Sequence, residues 1–334
     1  RIPPLRPFFQ QGGIWSADGA RHSVVEDCCD ILIHLVGCCV RHSARARASV
    51  LMEAPMGKLL TDDQVKHYSE YGFVSPVSVL TEDEASECVA EIEAFEVETG
   101  KQIDFPYKSR CHQLFSWADR IVHHPKILDA VEDLIGPDIL CYHATLWVKP
   151  PRSNSFVRWH QDGTYFFLDP AVQVTAWVAL TVADDEAGCM QVIPGSHRND
   201  FVEHDDDSDP GNLIPRGQGI ASEVDATTAT SMPLQAGQMS IHHTKLFHAS
   251  FNNNRDIRRI GLGISYIPTS VRDVGDAKAH ALLVRGEDSF GNFLAENRLR
   301  KAGTEEQFDY HLELMKRFRE RQDEGASFSK ASLA

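Results

Sequence analysis

Two residues in the segment WHQDGTYFF, His160 and Asp162, have the types and the spacing of a metal site. On a β-strand, residues two apart project from the same face, so an imidazole nitrogen and a carboxylate oxygen could reach one ion. Two histidines and one carboxylate form the facial triad that holds non-heme Fe(II) and leaves coordination positions open. The pair alone is a weak signal, because such pairs also occur in exposed turns. A second histidine must therefore come from a distant segment.

The third ligand is expected in QMSIHHTKLFHAS, which carries three histidines on sequence typical of β-strands. His242, His243 and His248 are all candidates on this pattern, because a bulge anywhere in the segment would change the face on which each side chain lies. A turn of three asparagines follows, and Arg259 stands 11 residues after His248. If the next strand doubles back, Arg259 lies beside the metal, where its guanidinium can bind a carboxylate through two hydrogen bonds.

Two glycines follow Arg259 at alternate positions, Gly261 and Gly263, and on a strand all three residues share one face. A glycine inside a strand often marks a place where a ligand or another backbone approaches closely. We therefore expect these glycines to leave room for a co-substrate beside the guanidinium. An arginine buried there without a partner would be costly.

The segments that carry these residues have the pattern of an all-β core. From Ile139 onward, short runs rich in β-branched and aromatic residues alternate with turns of glycine, proline, asparagine and aspartate. Strands at this spacing indicate a sandwich or barrel rather than a parallel α/β sheet. The runs are ILCYHATLWV, SFVRWHQD, VQVTAWVALTV, MQVIPGS, QMSIHHTKLFHAS and RRIGLGISYI.

Three helices are predicted before these strands and are expected to pack against one face of the sheet. Thr61 and Thr81 are candidate N-caps for the first two, which cover DDQVKHYSEYGF and EDEASECVAEIEAFEVET. The third helix, PKILDAVEDLI, begins with Pro125 and is followed by Gly136 and Pro137. A charged helix, EEQFDYHLELMKRFRERQDE, is predicted near the end of the chain.

These elements divide the chain into three parts. Residues 1–55 contain two adjacent cysteine pairs and a basic tract, and are interpreted as a non-native or disordered extension. Residues 56–290 are predicted to form one domain that carries the metal site, and residues 291–334 a C-terminal helical segment. Within the domain, the polar, acidic stretch at about 198–232 is too long for an ordinary connection, so we expect a lid insert there.

Composition narrows the class of partner. The chain has 48 acidic against 33 basic residues, so it lacks the clustered positive charge that nucleic acids and anionic membranes require, and we expect a small-molecule partner. The apolar stretch ILIHLVGCCV is about half the ~20 residues of a membrane span. The eight cysteines show no CxxC spacing, which favours free thiols in a reducing cytoplasm. No feature indicates an oligomeric state.

The ordered motifs resemble those of the phytanoyl-CoA dioxygenase family of Fe(II)/2-oxoglutarate-dependent oxygenases. The resemblance spans roughly residues 59–274 and rests on several motifs rather than one. These are EYGFV, HPKILDAVEDLIGPDIL, WHQD, TAWVALT, GCMQVIPGSH and LFHASFNNNRDIRRIGLGISYIPT. The resemblance implies a mainly β fold with flanking helices, built on a double-stranded β-helix (jelly-roll, cupin-like) core. The metal would lie at one open end of this barrel.

Residue by residue, the resemblance implies that His160, Asp162 and His248 hold the metal and that Arg259 binds 2-oxoglutarate. Further positions match the 2-oxoglutarate pocket or the strand beside it: Ser250, Trp177, His143, Thr145 and Lys149.

The implied reaction is hydroxylation of a small organic substrate, with Fe(II), O2 and 2-oxoglutarate, which is converted to succinate and CO2. Related halogenases replace the carboxylate ligand with a small residue, so Asp162 favours hydroxylation over chlorination. The alternative is a non-redox, cupin-like metal barrel that acts as a hydrolase, isomerase or sensor, and Arg259 argues against it. The substrate itself depends on the lid and the pocket mouth rather than on these motifs.

Other polar and aromatic residues near the motifs have less direct predicted roles. His243 is expected to line the pocket or to hydrogen-bond to a ligand. His197 resembles a family position that is structural or close to substrate rather than ligating. Gln161 should face away from the metal by strand alternation. Trp147 and Tyr165 are core residues more often than substrate contacts.

Overall fold

The computed structural model describes residues 57–207, 209–214, 217–275 and 278–332, and at residue 165 and residues 322–332 it describes the backbone alone. Met56–Ala334 forms one compact unit. The predicted extension at 1–55 lies outside the described residues. The predicted boundaries at 56, 290 and 291 stay predictions.

Five helices lie in the described part of the chain, and the three N-terminal ones with sequence signals begin where those signals predict. Thr61 and Thr81 each form a complete capping box with the residue three positions on. The helices are α1 (Asp62–Tyr71), α2 (Glu82–Thr99), α3 (Ser116–Val122), α4 (Pro125–Ile135) and α5 (Glu305–Ser332). None of these helices is long and apolar enough to cross a membrane.

The strands form a sheet of seven and a sheet of four, with two further two-stranded ladders. The strands are β1 (Phe73–Ser78), β2 (Ile139–Lys149), β3 (Val157–His160), β4 (Leu168–Asp169), β5 (Val174–Ala179), β6 (Met190–Val192), β7 (His204–Asp205), β8 (Gly219–Ile220), β9 (Thr230–Met232), β10 (Gln238–His243), β11 (His248–Ser250), β12 (Arg259–Pro268), β13 (Arg272–Asp273), β14 (His280–Arg285) and β15 (Leu294–Ala295). The large sheet has the order β1-β10-β5-β12-β2-β14-β15, and the small sheet β3-β11-β6-β9.

The two sheets pack together through apolar side chains, as in a double-stranded β-helix. Trp177 of the large sheet and Met190 of the small sheet belong to one cluster, and Phe73 and Val192 to another. The predicted fold class, mainly β with flanking helices on a jelly-roll core, is confirmed.

The two faces of the large sheet have different partners. Along β12, Ile260, Leu262 and Ile264 join the main core, which also contains Ile92 of α2 and Trp117 of α3. The helices therefore cover this face, as predicted. The alternate residues, which begin with Arg259, project from the other face because neighbouring side chains on a strand alternate. The strand pattern thus separates a helix-packed face from the face that carries the site.

The segment QMSIHHTKLFHAS is two strands rather than one. β10 pairs with β5 in the large sheet, whereas β11 pairs with β3 in the small sheet. The chain turns between them, where the N–H of Leu246 donates to the carbonyl of His243 (2.8 Å). Strand alternation therefore cannot relate His242 and His243 to His248, which lies in the other sheet.

In its described residues, the stretch predicted as a lid insert forms short elements. β7 pairs with β8, and β9 joins the edge of the small sheet beside β6. His204, in β7, lies next to the loop that carries Asp162, because its Nε2 accepts a hydrogen bond from the N–H of Gln161 (3.0 Å).

Candidate metal centre

Three side chains converge where β3 and β11 lie side by side. His248 is the direct cross-strand partner of His160, and their rings are 3.9 Å apart between centroids. Asp162 Oδ1 lies 3.4 Å from His160 Nε2 and 3.5 Å from His248 Nε2. In the described part of the chain this is the one group of histidine, cysteine and acidic side chains arranged to share an ion. The three residues expected to be ligands are thus brought together.

The imidazole rings are oriented by the backbone next to them. His160 Nδ1 donates to the carbonyl of Arg158 (2.8 Å), and His248 Nδ1 donates to the carbonyl of Leu246 (2.9 Å). A neutral imidazole that donates through Nδ1 keeps a lone pair on Nε2. Burial and the neighbouring His248 lower the pKa of His160, which favours this neutral form. Both Nε2 atoms can therefore accept a metal ion.

Asp162 is held in a way that leaves one oxygen for an ion. Its Oδ2 accepts a hydrogen bond from Thr175 Oγ1 (2.6 Å) and lies 3.3 Å from His242 Nε2. Burial alone would raise the pKa of Asp162, but His248, His160 and His242 hold it well below its usual range. The carboxylate is therefore ionised, with Oδ1 directed at the two ligand imidazoles.

Strand β3 ends between the two neighbouring candidate ligands. β3 ends at His160, and Asp162 begins a short 3-10 turn after Gln161, whose backbone is extended (φ −119°, ψ 130°). The alternation that places both ligands on one face thus depends on one extended residue. Gln161 points away from the ion site, as expected, and its Nε2 donates to the carbonyl of Lys245 (2.9 Å).

Arg259 lines the same cavity as the triad. The residue is 3% exposed, and its Nη1 donates to the carbonyl of Gly188 (2.6 Å). Its Nε is buried with no hydrogen-bond partner among the described residues. Its Cζ lies 4.9 Å from the centre of the Trp177 ring. Burial lowers the pKa of Arg259 to about 10, which still leaves it charged at neutral pH.

Lys149 and Ser250 lie beside this cation. Lys149 is the cross-strand partner of Arg259, and its Nζ donates to Ser250 Oγ (2.8 Å) and to the carbonyl of Phe251. Burial, with the charge of Arg259, lowers the pKa of Lys149 to about 6, so the amine is largely neutral at pH 7. Because the Ser250 hydroxyl accepts from Lys149, its own proton is free to donate into the cavity that it lines.

Comparisons with known proteins agree with this geometry. A family model for phytanoyl-CoA dioxygenase (PhyH) matches residues 68–261, which is more than half of the chain. The chain belongs to the phytanoyl-CoA dioxygenase family. The solved non-heme monooxygenase ThoJ is 35% identical with a TM-score of 0.71, over 79% of this chain and 99% of ThoJ. Its nickel complex is 33% identical, with a TM-score of 0.66, over 79% of this chain and 100% of that one.

Two curated relatives match over shorter regions. Phytanoyl-CoA dioxygenase from Mus musculus is 28% identical over 218 residues, 58% of this chain and 64% of the mouse protein. A probable alpha-ketoglutarate-dependent hypophosphite dioxygenase from Stutzerimonas stutzeri is 27% identical over 157 residues, 46% of this chain and 54% of that protein. The chain thus spans less than two thirds of the length of these two relatives.

Within this PhyH-family site, the glycines on β12 have a different role from the one predicted. A Cβ on Gly261 would lie 2.2 Å from Cζ2 of Trp177, and one on Gly263 would lie 3.0 Å from Nε1 of Trp147. The space is therefore filled by the two indole rings, and the prediction of room for a co-substrate there is wrong. The rings in turn form walls of the cavity.

Two residues expected at the 2-oxoglutarate pocket, His143 and Thr145, do not line the cavity that contains Arg259. They line a second cavity, which also meets His160 and Asp162 but does not reach Arg259. Because β2 advances about 3.3 Å per residue, His143 is about 20 Å along the strand from Lys149. One strand therefore passes both cavities.

His242, rather than His243, makes the predicted contact with a candidate ligand. His242 contacts Asp162, whereas His243 accepts a hydrogen bond from the N–H of Lys245 (3.1 Å), and its ring lies 5.4 Å from that of His197. His197 faces the carbonyl of Ser69 (3.3 Å) and has a structural position.

Trp147 and Tyr165 were predicted to be core residues more often than substrate contacts. Trp147 lines both cavities. The side chain of Tyr165 lies outside the described part.

Thr175 is the site residue that the sequence reasoning missed. It lies on β5, two residues before Trp177, which was singled out as a pocket residue, and both project from the site face. Because residues two apart on a strand share a face, Trp177 would have identified Thr175 as a second residue of the site.

Proposed function

We propose that this chain is an Fe(II)- and 2-oxoglutarate-dependent dioxygenase that hydroxylates a small organic molecule and converts 2-oxoglutarate to succinate and CO2. The observation that carries the proposal is Arg259, a buried guanidinium that shares one cavity with the His160, Asp162 and His248 triad. A metal barrel without an anionic co-substrate has no use for a cation at this position.

The buried charge of Arg259 calls for a negative partner. A buried charge is costly unless it is paired, and no acidic side chain of the described residues pairs with this guanidinium. Its unpartnered Nε and the free proton of Ser250 both suit a carboxylate. The distal carboxylate of 2-oxoglutarate would complete the pairing, while the rest of the molecule extends toward the triad.

The donor set of the triad fits Fe(II). Two imidazole nitrogens and one carboxylate oxygen on one side of an ion form the arrangement that leaves other positions open for co-substrate and oxygen. Bound there, Fe(II) would supply the oxidising chemistry. The nickel complex of ThoJ supports metal binding by proteins of this architecture.

The residues of the chain have separate tasks in this reaction. His160 and His248 present their Nε2 lone pairs, and Asp162 contributes one negative charge that Thr175 keeps in place. Trp147 and Trp177 give the cavity apolar walls, which reduce the access of water to the reacting groups. Because Asp162 fills the position that a halide would take, we propose hydroxylation rather than chlorination.

The test uses binding rather than turnover. Without oxygen, Fe(II) and 2-oxoglutarate should give the charge-transfer absorption of a chelated complex with the wild-type chain, and D162A should lose it. R259M should need at least about thirtyfold more 2-oxoglutarate, since losing one partner of a buried charge pair costs on the order of 2 kcal/mol or more.

Arg258 provides the matched control. It is the neighbour of Arg259 on the chain, but its Nη1 pairs with Glu96 (2.8 Å) and it does not line the cavity. R258M should bind 2-oxoglutarate like the wild type. If the wild-type chain gives no absorption, the proposal fails and a non-redox metal barrel is favoured.

We further propose that the protein works in the reducing cytoplasm. The four described cysteines, Cys88, Cys111, Cys141 and Cys189, are free and buried, as expected where disulfides do not form. Imaging of a fluorescent fusion in the source cell tests this, and location in an oxidising compartment would contradict it.

A further inference from the structure

A second cavity is lined by His160 and Asp162 of the triad but not by Arg259. It shares His160, Asp162 and Trp147 with the cavity that contains Arg259. A molecule placed in it would therefore face the metal ligands without competing for the guanidinium. The apolar side chains that line it are Phe105, Trp147, Phe166, Leu213, Ile214 and Phe318.

Charged groups are scarce in this lining. Apart from Asp162 at the metal end, Lys108 is the one charged side chain among the lining residues that the structure describes, and its Nζ is paired with Asp104 (3.1 Å). Burial lowers the pKa of His143 well below its usual range, so that ring is neutral. Most of the wall is therefore suited to an apolar molecule.

Phe318 closes the cavity from a distant part of the chain. It lies on α5, and its ring stacks on the buried His143 ring, with centroids 4.4 Å apart and an angle of 18° between the planes. The Cζ of Arg110 also lies 5.5 Å from the ring centre. The ring thus contacts two side chains of the domain.

Beyond Phe318 there is more open space. A further cavity is lined by Phe318 and by mostly charged residues, which are Arg110, Lys278, Glu313, Lys316, Arg317, Glu320 and Arg321. The same phenylalanine borders both cavities, so its ring is part of the wall between them. Removal of the ring would extend the cavity at the triad instead of leaving a closed void.

We propose that the cavity at the triad binds a predominantly apolar substrate, and that Phe318 determines specificity by limiting how far the substrate can extend away from the metal. The inference rests on the proposed function, because it takes the triad as the reacting end of the site. The region matched to the PhyH family ends at residue 261, so Phe318 lies outside it. Under this proposal, α5 sets the substrate length, and the family match does not extend to α5.

Straight-chain primary alcohols of four to twelve carbons are the probes, because they are neutral and differ only in length. Their binding to the full chain, with 2-oxoglutarate and without oxygen, is measured by calorimetry. For the wild type, affinity should rise on the order of fourfold per methylene, the factor for burial of one CH2, and stop rising at a limiting length. F318A should move this limit to longer alcohols by at least two carbons, and F318W should shorten it.

Leu312 provides the control on the same helix. It is 39% exposed and lines none of the three cavities. L312A should keep the wild-type limit, and F318L, which preserves an apolar side chain, should shift it less than F318A. Equal limits in F318A and the wild type, an equal shift in L312A, or no binding of any alcohol would overturn the inference.

The two proposals can fail separately. Alcohol binding needs no turnover, so a wild-type chain without charge-transfer absorption would refute the oxygenase and leave the length limit standing. F318A should retain the wild-type absorption with Fe(II) and 2-oxoglutarate, because Phe318 is not part of the cavity that contains Arg259.

Discussion

At the scale of single residues, the two oxygens of Asp162 have different partners. This explains why the Thr175 hydroxyl lies beside the triad. Thr175 donates to Oδ2, so that Oδ1 faces the imidazoles. Removal of such a supporting hydrogen bond typically weakens metal binding by about 10- to 100-fold. We expect this loss for T175V, measured by anaerobic Fe(II) titration, with the fold retained. T230V, on the exposed part of β9, is the control, and equal affinities in the two variants would contradict the role of Thr175.

At the scale of elements, Gln161 joins the stretch predicted as a lid insert to the loop that carries Asp162. Its Oε1 accepts from the N–H of Val202 (2.9 Å), and its Nε2 faces the carbonyls of Asp200 (3.4 Å) and Lys245 (2.9 Å). Loss of buried partners costs about 1–3 kcal/mol. Q161A should therefore increase amide exchange in residues 200–204 by roughly tenfold or more, measured by hydrogen–deuterium exchange. The exposed Gln235 serves as control in Q235A, and unchanged protection in Q161A would show that the stretch is held by other contacts.

The elements also show which parts of the fold could be predicted. Thr61, Thr81 and Pro125 mark helix starts by local chemistry, so α1, α2 and α4 were predictable. β1 was not predicted, because Pro76 lacks the N–H that a strand uses; it is tolerated since β1 is the edge of its sheet. The separation of β10 from β11 depends on a change of sheet within four residues, which strand alternation does not signal.

At the scale of the whole molecule, a buried charge pair ties the C-terminal part to the segment between α2 and α3. Arg110 pairs with Glu296, and Gln113 Nε2 donates to the same carboxylate (2.8 Å). The two charged residues are 186 positions apart in the sequence, so no spacing pattern could indicate their contact. The grouping of His160 with Asp162 was predictable because the two residues are local, whereas the choice of His248 among three histidines came from the family resemblance. The wall formed by Phe318 and the Glu296 contact depend on tertiary packing alone.

The buried pair makes stability depend on pH in a defined direction. Burial alone would raise the pKa of Glu296, but Arg110, His112 and Gln113 hold it at about 2. A carboxylate with a depressed folded-state pKa stabilises the fold above its unfolded pKa of about 4.3, and this contribution is lost as pH falls toward 2. E296Q leaves Arg110 without its buried partner and should lower the free energy of unfolding by about 3 kcal/mol at pH 7.

Urea unfolding of both chains between pH 7 and pH 3 measures the effect. The difference between wild type and E296Q should shrink below pH 4.3, because the wild-type carboxylate then loses its advantage over the amide. E313Q, which alters an exposed pair with Arg317, should stay within about 0.5 kcal/mol of wild type throughout. A difference for E296Q that does not change with pH would mean that Glu296 contributes through packing and not through its charge.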